Sequence, residues 1–321
     1  MRRLISFLAY IPLQVAFIPL AILGAGIQTY RQIFVSKRLG ASSTGIEIIG
    51  GRWTMHLFGI RSDQASARLM RALPNASTAG MWLFLFPLWV KYKLSGSHFV
   101  YPRIPAEGHE TLADLVIART LVFDRIIERV VAGVDQFVVL GAGYDARPYG
   151  ALGRDGLRFF EVDQESTQQV KRDGLQRAEI DSDHVTFVAV DFQNRDWFNG
   201  LPESGYDRAK KTLFLWEGVT PYLSEQDVRG TLRVVRENAA PGSTIVADFY
   251  ADRVVAYANG SFKGKMLDYT GEVWRFGLPL GSDPGALERL VSDEGVSLVD
   301  ATILGGETKK GAIMEVAELR V

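Results

Sequence analysis

The stretch Gln136-Phe-Val-Val-Leu-Gly-Ala-Gly-Tyr-Asp-Ala-Arg147 runs from an apolar segment into a glycine pair and then a charged turn. Phe137 to Leu140 has no polar alternation, the pattern of a parallel strand covered on both faces. Gly141 and Gly143 permit a tight turn and an approach of backbone to ligand that a side chain would block. Together they read as a buried strand feeding a nucleotide-binding loop, with Ala146 where a third glycine could stand. Leu157-Arg-Phe-Phe-Glu-Val-Asp163 is a second apolar run, ending on acids about 20 residues downstream, where a ribose-binding carboxylate belongs.

From this point the chain alternates strand and helix patterns in the order that builds a parallel sheet. Strands are expected near 136–140, 157–162, 185–190, 211–216 and 243–249, with helices near 164–178 and 225–238. Two late apolar runs, 296–304 and 311–319, flank Gly305-Gly-Glu-Thr-Lys-Lys310 and are spaced for an antiparallel hairpin. The fold class is therefore α/β, a mostly parallel doubly wound sheet with a C-terminal antiparallel hairpin. Such sheets bind ligands at the carboxyl ends of their strands. Four successive strands end on acids there: Asp145, Glu161 or Asp163, Asp191 and Glu217. Asp191 is followed by Phe192, a pair suited to an adenine amino group and its ring face, and Tyr222 follows Glu217 by five residues.

Upstream of the loop, Thr111 to Val131 places Leu112, Leu115, Val116, Val122, Phe123, Ile126, Ile127 and Val130 on a helical stripe that also contains Arg119. An arginine on a buried face is costly unless paired, so Arg119 is expected to meet an internal carboxylate or an anionic ligand.

The 321 residues, 47% of them hydrophobic, suffice for one large or two modest domains. The absence of cysteine excludes disulfides, thiolate metal sites and a cysteine nucleophile. His56, His98, His109 and His184 show no metal-ligand spacing. Net charge is −1, but residues 1–103 carry 12 Lys/Arg against Glu47 and Asp63, a local net of +10. That third of the chain is expected to face something anionic, and its apolar neighbours favour lipid over nucleic acid.

Leu4 to Ile27 is a 24-residue uncharged stretch between Arg2-Arg3 and Tyr30-Arg31, long enough to cross a bilayer despite Pro12 and Pro19. A signal peptide ending near Gly24-Ala25-Gly26 is the alternative. Ala79 to Val90, with Trp82 and Trp89 and then Lys91-Tyr-Lys93, is expected to be a re-entrant or interfacial segment, or else a buried helix. Between them Ser62 is expected to cap a helix carrying Arg68 and Arg71 on a basic face. Glycines and prolines in 95–108 mark the boundary between a membrane-associated helical region, 1–103, and a catalytic domain, 104–321.

The runs Arg119-Thr-Leu-Val-Phe-Asp124, Val139-Leu-Gly-Ala-Gly-Tyr-Asp-Ala-Arg147, Phe160-Glu-Val-Asp163, Val190-Asp191-Phe192 and Glu217-Gly-Val-Thr-Pro-Tyr222 resemble the leucine carboxyl methyltransferase family over roughly 111–250. The resemblance implies a Rossmann-like class I methyltransferase fold using S-adenosylmethionine. It places Arg119 on the cofactor carboxylate, Gly141 and Gly143 along its methionine and ribose, and Asp163 on the ribose hydroxyls. Asp191 would face the adenine and Glu217 the cofactor amino group, with Asp145, Arg147, Glu161 and Phe192 completing the cofactor set. The family loop usually has threonine where Ala146 stands, which removes one hydroxyl contact.

Methyl transfer from a sulfonium needs no metal; it needs alignment at near-attack distance and exclusion of water. A carboxylate acceptor requires no general base. A hydroxyl acceptor does, with Tyr222, Glu217 or His109 as candidates. The acceptor is expected to be a lipophilic small molecule, the enzyme membrane-associated and its catalytic domain cytoplasmic. The competing readings are a nicotinamide oxidoreductase, because the loop also satisfies the loose dinucleotide fingerprint, and a membrane-anchored nucleotide-binding protein without turnover.

Overall fold

The computed structural model describes residues 2–150, 152, 156–192 and 197–321, with the backbone alone at 2–5 and 263, so the Arg2-Arg3 side chains lie outside the described residues. Its centre is one seven-stranded sheet in the order β3-β2-β1-β4-β5-β7-β6. The strands are β1 (Gln136–Leu140), β2 (Arg158–Asp163), β3 (Val185–Ala189), β4 (Thr212–Trp216), β5 (Thr244–Tyr250), β6 (Ser297–Leu304) and β7 (Met314–Arg320). β1 to β5 are parallel, and β7 inserts antiparallel between β5 and β6. Every residue of β1, β4 and β5 is buried, as their unalternating apolar runs require of strands covered on both faces. The strand order reverses between β1 and β4, which puts Gly141 and Glu217 side by side at the switch point where such sheets take ligands.

The helices are α1 (Arg2–Tyr30), α2 (Ser36–Leu39), α3 (Thr44–Leu57), α4 (Gln64–Ala72), α5 (Thr78–Ser95), α6 (Leu115–Val130), α7 (Glu165–Arg177), the short α8 (Gly200–Glu203), α9 (Glu225–Asn238), α10 (Asp252–Gly260), α11 (Phe262–Thr270) and α12 (Ala286–Asp293). Local chemistry fixes several of their ends. Ser224 and Asp227 form a reciprocal capping box at the start of α9. Gly40 and Gly96 end α2 and α5 in the left-handed conformation. The cap of α4 is Asp63, one residue after the expected Ser62, because the Asp63 carboxylate accepts from both the Ser66 amide and hydroxyl. α6 starts at Leu115 rather than Thr111, because the Asp114 carboxylate bonds back to the Thr111 amide and hydroxyl and holds 111–114 as a turn.

The N-terminal third departs most from expectation. The 78–95 stretch is one 18-residue helix, about 27 Å long at 1.5 Å per residue, longer than the 79–90 segment expected. It lies antiparallel along α1: Phe17 stacks on Phe86 at 5.2 Å and Phe7 meets Phe99 edge-on at 4.8 Å. At the crossing a Cβ on Gly24 would overlap the Gly80 carbonyl, so only glycine lets the two backbones approach this closely. α1 continues through one π-helical turn, Arg31–Val35, into α2. Among the described residues one helical stretch, Ser6–Leu39, is long and apolar enough to cross a membrane, and just 6% of its most apolar window is buried.

A boundary at 103/104 is not where packing changes. Ile46, Ile49, Trp53, Leu69, Met70 and Leu73 share a core with Tyr144, Ala146, Val170 and Leu175 of the glycine loop and α7. Residues 36–73 are thus part of the catalytic body, and the α1–α5 hairpin is the portion with an outward apolar face. Arg68 is drawn into this packing as well, donating to the Ala178 and Glu179 carbonyls.

Candidate active site

A cavity of about 760 Å³ opens at the carboxyl ends of β1, β2 and β4. One wall is the glycine loop with Asp163, Asp191, Phe192 and Glu217; the opposite wall comes from α10, α11 and the segment linking α2 to α3. Gly141 and Gly143 both have positive φ, +67° and +44°, which the β1 exit turn demands and side chains resist. A Cβ at Gly141 would overlap Val219, whereas one at Gly143 would meet, among the described residues, nothing nearer than the Gly141 carbonyl at 4.0 Å. The Gly143 amide donates to Asp163 Oδ2 at 2.5 Å and the Gln164 amide to Oδ1 at 2.7 Å. Burial raises the Asp163 carboxyl above its ordinary pKa against the pull of these two amides.

Beneath the loop lies a buried ion network. Arg52 from α3 reaches Asp145 at 3.0 Å and Glu217 at 2.9 Å. Arg147 holds the same two carboxylates from the other side, with Glu217 at 2.7 Å, and extends to Asp124 at 2.8 Å. Arg61 closes the far end on Asp124 at 2.5 Å. Burial alone would push Glu217 up, but Arg147, Arg52 and Arg119 hold it down at about 2. Arg52 enters because Gly51 lets α3 lie against Val116 of α6, where a Cβ would overlap.

Arg119 is buried and bonds to the Tyr250 hydroxyl at 2.8 Å and Asp248 Oδ2 at 3.2 Å. Its Nε lies 3.2 Å from Glu217 Oε1, yet neither atom has a hydrogen-bond partner among the described residues, so the charges are adjacent and poorly angled. Asp248 also accepts from the Gly218 amide at 2.8 Å; burial pushes its pKa up to about 6 despite Arg119 and that amide.

Nine residues singled out in the sequence line this cavity: Arg119, Gly141, Gly143, Asp145, Asp163, Asp191, Phe192, Glu217 and Tyr222. Arg147 and Glu161 do not. Arg147 lies under the loop, spent on Asp124, Asp145 and Glu217. Glu161 precedes Asp163 by two residues, yet its side chain is enclosed in the core, paired with Lys171 at 2.6 Å and accepting from the Tyr149 hydroxyl at 2.9 Å. Of the two acids at the end of β2, Asp163 is the one at the cavity. His109 is exposed and paired with Glu307.

Arg52, Asp248, Tyr250 and Glu272 also line or support the cavity and were not singled out. Arg52, between Ile49 and Trp53, shares with Arg119 the pattern of a lone arginine on an apolar stripe. The strand-end acid rule extended to the fifth strand would find Asp248. Glu272 has no such signal: its carboxylate accepts from the Ser43 and Thr44 amides and the Ser42 and Thr44 hydroxyls, at the start of α3, through a contact 228 to 230 residues apart in sequence.

The sequence profile of the leucine carboxyl methyltransferase family matches residues 87–236. A putative S-adenosyl-L-methionine-dependent methyltransferase of Saccharopolyspora erythraea is 34% identical over 202 residues, 57% of this chain and 68% of that protein. The chain belongs to the leucine carboxyl methyltransferase family. A second relative, the putative S-adenosyl-L-methionine-dependent methyltransferase of Mycobacterium avium, is 28% identical over 243 residues, 75% of this chain and 74% of that one. Solved structures are more distant: a DUF574 family protein from Streptomyces avermitilis shares 14% identity at a TM-score of 0.49, covering 84% of this chain and 96% of that one.

As a member of this family the protein is an S-adenosylmethionine-dependent methyltransferase, and the nicotinamide reading of the glycine loop falls away. The cavity suits that cofactor on its own chemistry. Arg119 Nε and Glu217 Oε1, buried, oppositely charged and each short of a hydrogen-bond partner, match the carboxylate and ammonium of an amino-acid head group.

Proposed function

We propose that this methyltransferase acts on a carboxylate oxygen of a lipophilic small molecule, with its catalytic domain on the cytoplasmic face of a membrane. In this reading Arg119 and Glu217 bind the methionine end of the cofactor, and Gly141 and Gly143 bring backbone along it. Asp163 takes the ribose hydroxyls, while Asp191 and Phe192 hold the adenine. Asp145, with Arg52 and Arg147, keeps the loop and Glu217 in place from behind. S-adenosylmethionine supplies an electrophilic methyl group, so the chain's own task is to align the acceptor oxygen and exclude water.

The observation that carries the carboxylate assignment is the state of Glu217 and Tyr222, with Asp163 already held by the Gly143 and Gln164 amides and Asp248 by Arg119 and the Gly218 amide. Glu217 is held at about 2 by three arginines, too weak a base to deprotonate an alcohol. Tyr222 is moved upward by burial and by the nearby Glu272 charge, so it stays a neutral phenol. The Glu272 carboxylate is occupied by donors at the start of α3. An acceptor that arrives already ionised needs none of them. Leu112, Leu115, Val116, Val254 and Leu267 supply an apolar part of a lining that also carries Lys37, Glu47 and Arg275, and that part favours a lipophilic body behind the carboxylate.

Membrane association is supported by the exposed apolar face of α1, where Leu8, Val15, Ile22 and Leu23 are each more than half exposed. A signal peptide fits less well, because Gly24 lies in mid-helix against Gly80 and Gln28 accepts from the Ser77 amide. Basic residues between Arg31 and Arg38 favour a cytoplasmic position for the adjoining domain. The test compares a fatty acid with the alcohol of equal chain length as acceptors, reading S-adenosylhomocysteine formation. The acid alone is expected to turn over; turnover of the alcohol, rising with pH, would point to a base and overturn the carboxylate reading.

A further inference from the structure

Helices α10 and α11 form one rim of the cavity mouth, and the end of the long N-terminal helix forms the other. Tyr257, Gly264 and Leu267 line the cavity from the first rim, and Ser36, Lys37 and Gly40 from the second. The rims touch through aromatic side chains: Phe34 lies 5.8 Å from Tyr269, and Lys37 sits over the Tyr269 ring at 5.3 Å. Tyr30 stacks on Phe34 at 5.6 Å, which joins this contact to the outward apolar face of α1. Val254, Val255 and Leu267 of α10 and α11 are buried, while three aromatic groups of the same helices point outward: Phe262 is 80% exposed, Tyr257 66% and Tyr269 51%.

We infer that α10–α11 is a second bilayer-contacting element, and that the acceptor enters the cavity from the lipid phase between α11 and the end of the long helix. The inference rests on the membrane reading given above and names the surface through which that reading would supply substrate. Three exposed aromatic groups on two short helices, with Lys265 and Asp268 among them, Lys37 over the Tyr269 ring across the mouth and Arg38 bonded to the Tyr30 hydroxyl, have the mixed aromatic and basic composition of an interfacial segment. Continuity with the α1 face decides the occupant: a bilayer that covers Ile22 and Tyr30 extends over Tyr269 through the Tyr30–Phe34–Tyr269 contacts. An acceptor partitioned into that bilayer reaches the cavity without crossing water, and Tyr257 stands at the threshold, both lining the cavity and exposed.

The chain has no cysteine, so single-cysteine variants of the full-length protein can carry an environment-sensitive fluorophore at one chosen position. Ile22→Cys reports on α1, Phe262→Cys on α11, and Asp173→Cys on the exposed side of α7. Each is reconstituted into vesicles of equal parts phosphatidylcholine and phosphatidylglycerol, and quenching by acyl-chain nitroxides is compared with quenching by aqueous iodide. The expected result is lipid quenching at 22 and 262 and iodide quenching at 173. Lipid quenching at 22 with iodide quenching at 262 overturns the second contact and leaves the membrane reading standing. A label at 262 shielded from both quenchers shows that protein, such as a second copy of this chain, covers the face, and also overturns it. Iodide quenching at 22 and 262 alike overturns both readings.

Discussion

Arg52 Nη2 lies 2.9 Å from Glu217 Oε2, so a side chain from the N-terminal helices completes the charge set at the end of the fourth strand. Arg52 lies outside the 87–236 match to the family profile, yet it is among the most completely buried side chains described. The N-terminal third therefore contributes to the catalytic body from within.

Arg52→Met should lower both the melting temperature and the affinity for S-adenosylmethionine. Breaking a buried ion pair by removing one partner costs about 3–5 kcal/mol, and here Asp145 and Glu217 each keep Arg147, which brings the expected loss to the lower end. Thermal melting with calorimetric titration checks it. Unchanged melting and affinity together would show that Arg52 is incidental to the site.

Arg119→Ala and Asp163→Ala are each expected to weaken cofactor binding by roughly ten- to a hundredfold, since a hydrogen bond to a charged group contributes about 1.5–3 kcal/mol. Calorimetry on the folded variants reads the loss. Retention of normal affinity by both would remove the assignment of the two ends of the cofactor.

The two loop glycines should fail differently. Gly143→Val places its side chain in open cavity space and is expected to abolish cofactor binding in a protein that still folds, at the cost of one strained positive φ. Gly141→Val drives a side chain into Val219 as well and should lower the melting temperature further. Circular dichroism separates the outcomes, and tight binding by a folded Gly143→Val protein would contradict the placement.

The sheet was almost fully legible, because buried parallel strands leave unbroken apolar runs, and the expected strand positions differ from β1 to β7 by no more than three residues at any end. Legibility failed where a side chain's direction decides its role. Glu161 and Asp163 are indistinguishable as strand-end acids, but alternation along β2 turns Glu161 to Lys171 and Tyr149 and leaves Asp163 to the cavity. It failed again where distant segments meet: nothing local to Glu272 announces that its carboxylate will cap α3. Composition groups the 36–73 segment with its apolar neighbours because it averages over a window, whereas α3 and α4 bury one face on α7 and the glycine loop.

The pH dependence of stability carries a signature of Asp248. Pushed up to about 6 in the folded protein, against about 3.9 when unfolded, this carboxyl binds its proton more tightly in the native state. Between about pH 4 and about 6 its contribution to stability therefore falls as pH rises, and it is level above that window. Glu217, held at about 2, has the opposite sign: its contribution is present above about 4.3 and is lost as the pH falls toward 2. Asp248→Asn should remove the first dependence and keep the second. Melting curves across about pH 4 to 7 test this, and a wild-type-to-variant difference that stays constant over the range would contradict it.

Carboxyl methylation of a lipophilic acceptor is tested most directly by supplying the purified enzyme with methyl-radiolabelled S-adenosylmethionine and a membrane lipid extract, then treating the organic-phase product with mild alkali. A methyl ester releases volatile labelled methanol under these conditions; a methyl ether does not. The proposed reaction predicts organic-extractable label that alkali sets free. Label that resists alkali, or that stays in the aqueous phase, would contradict it.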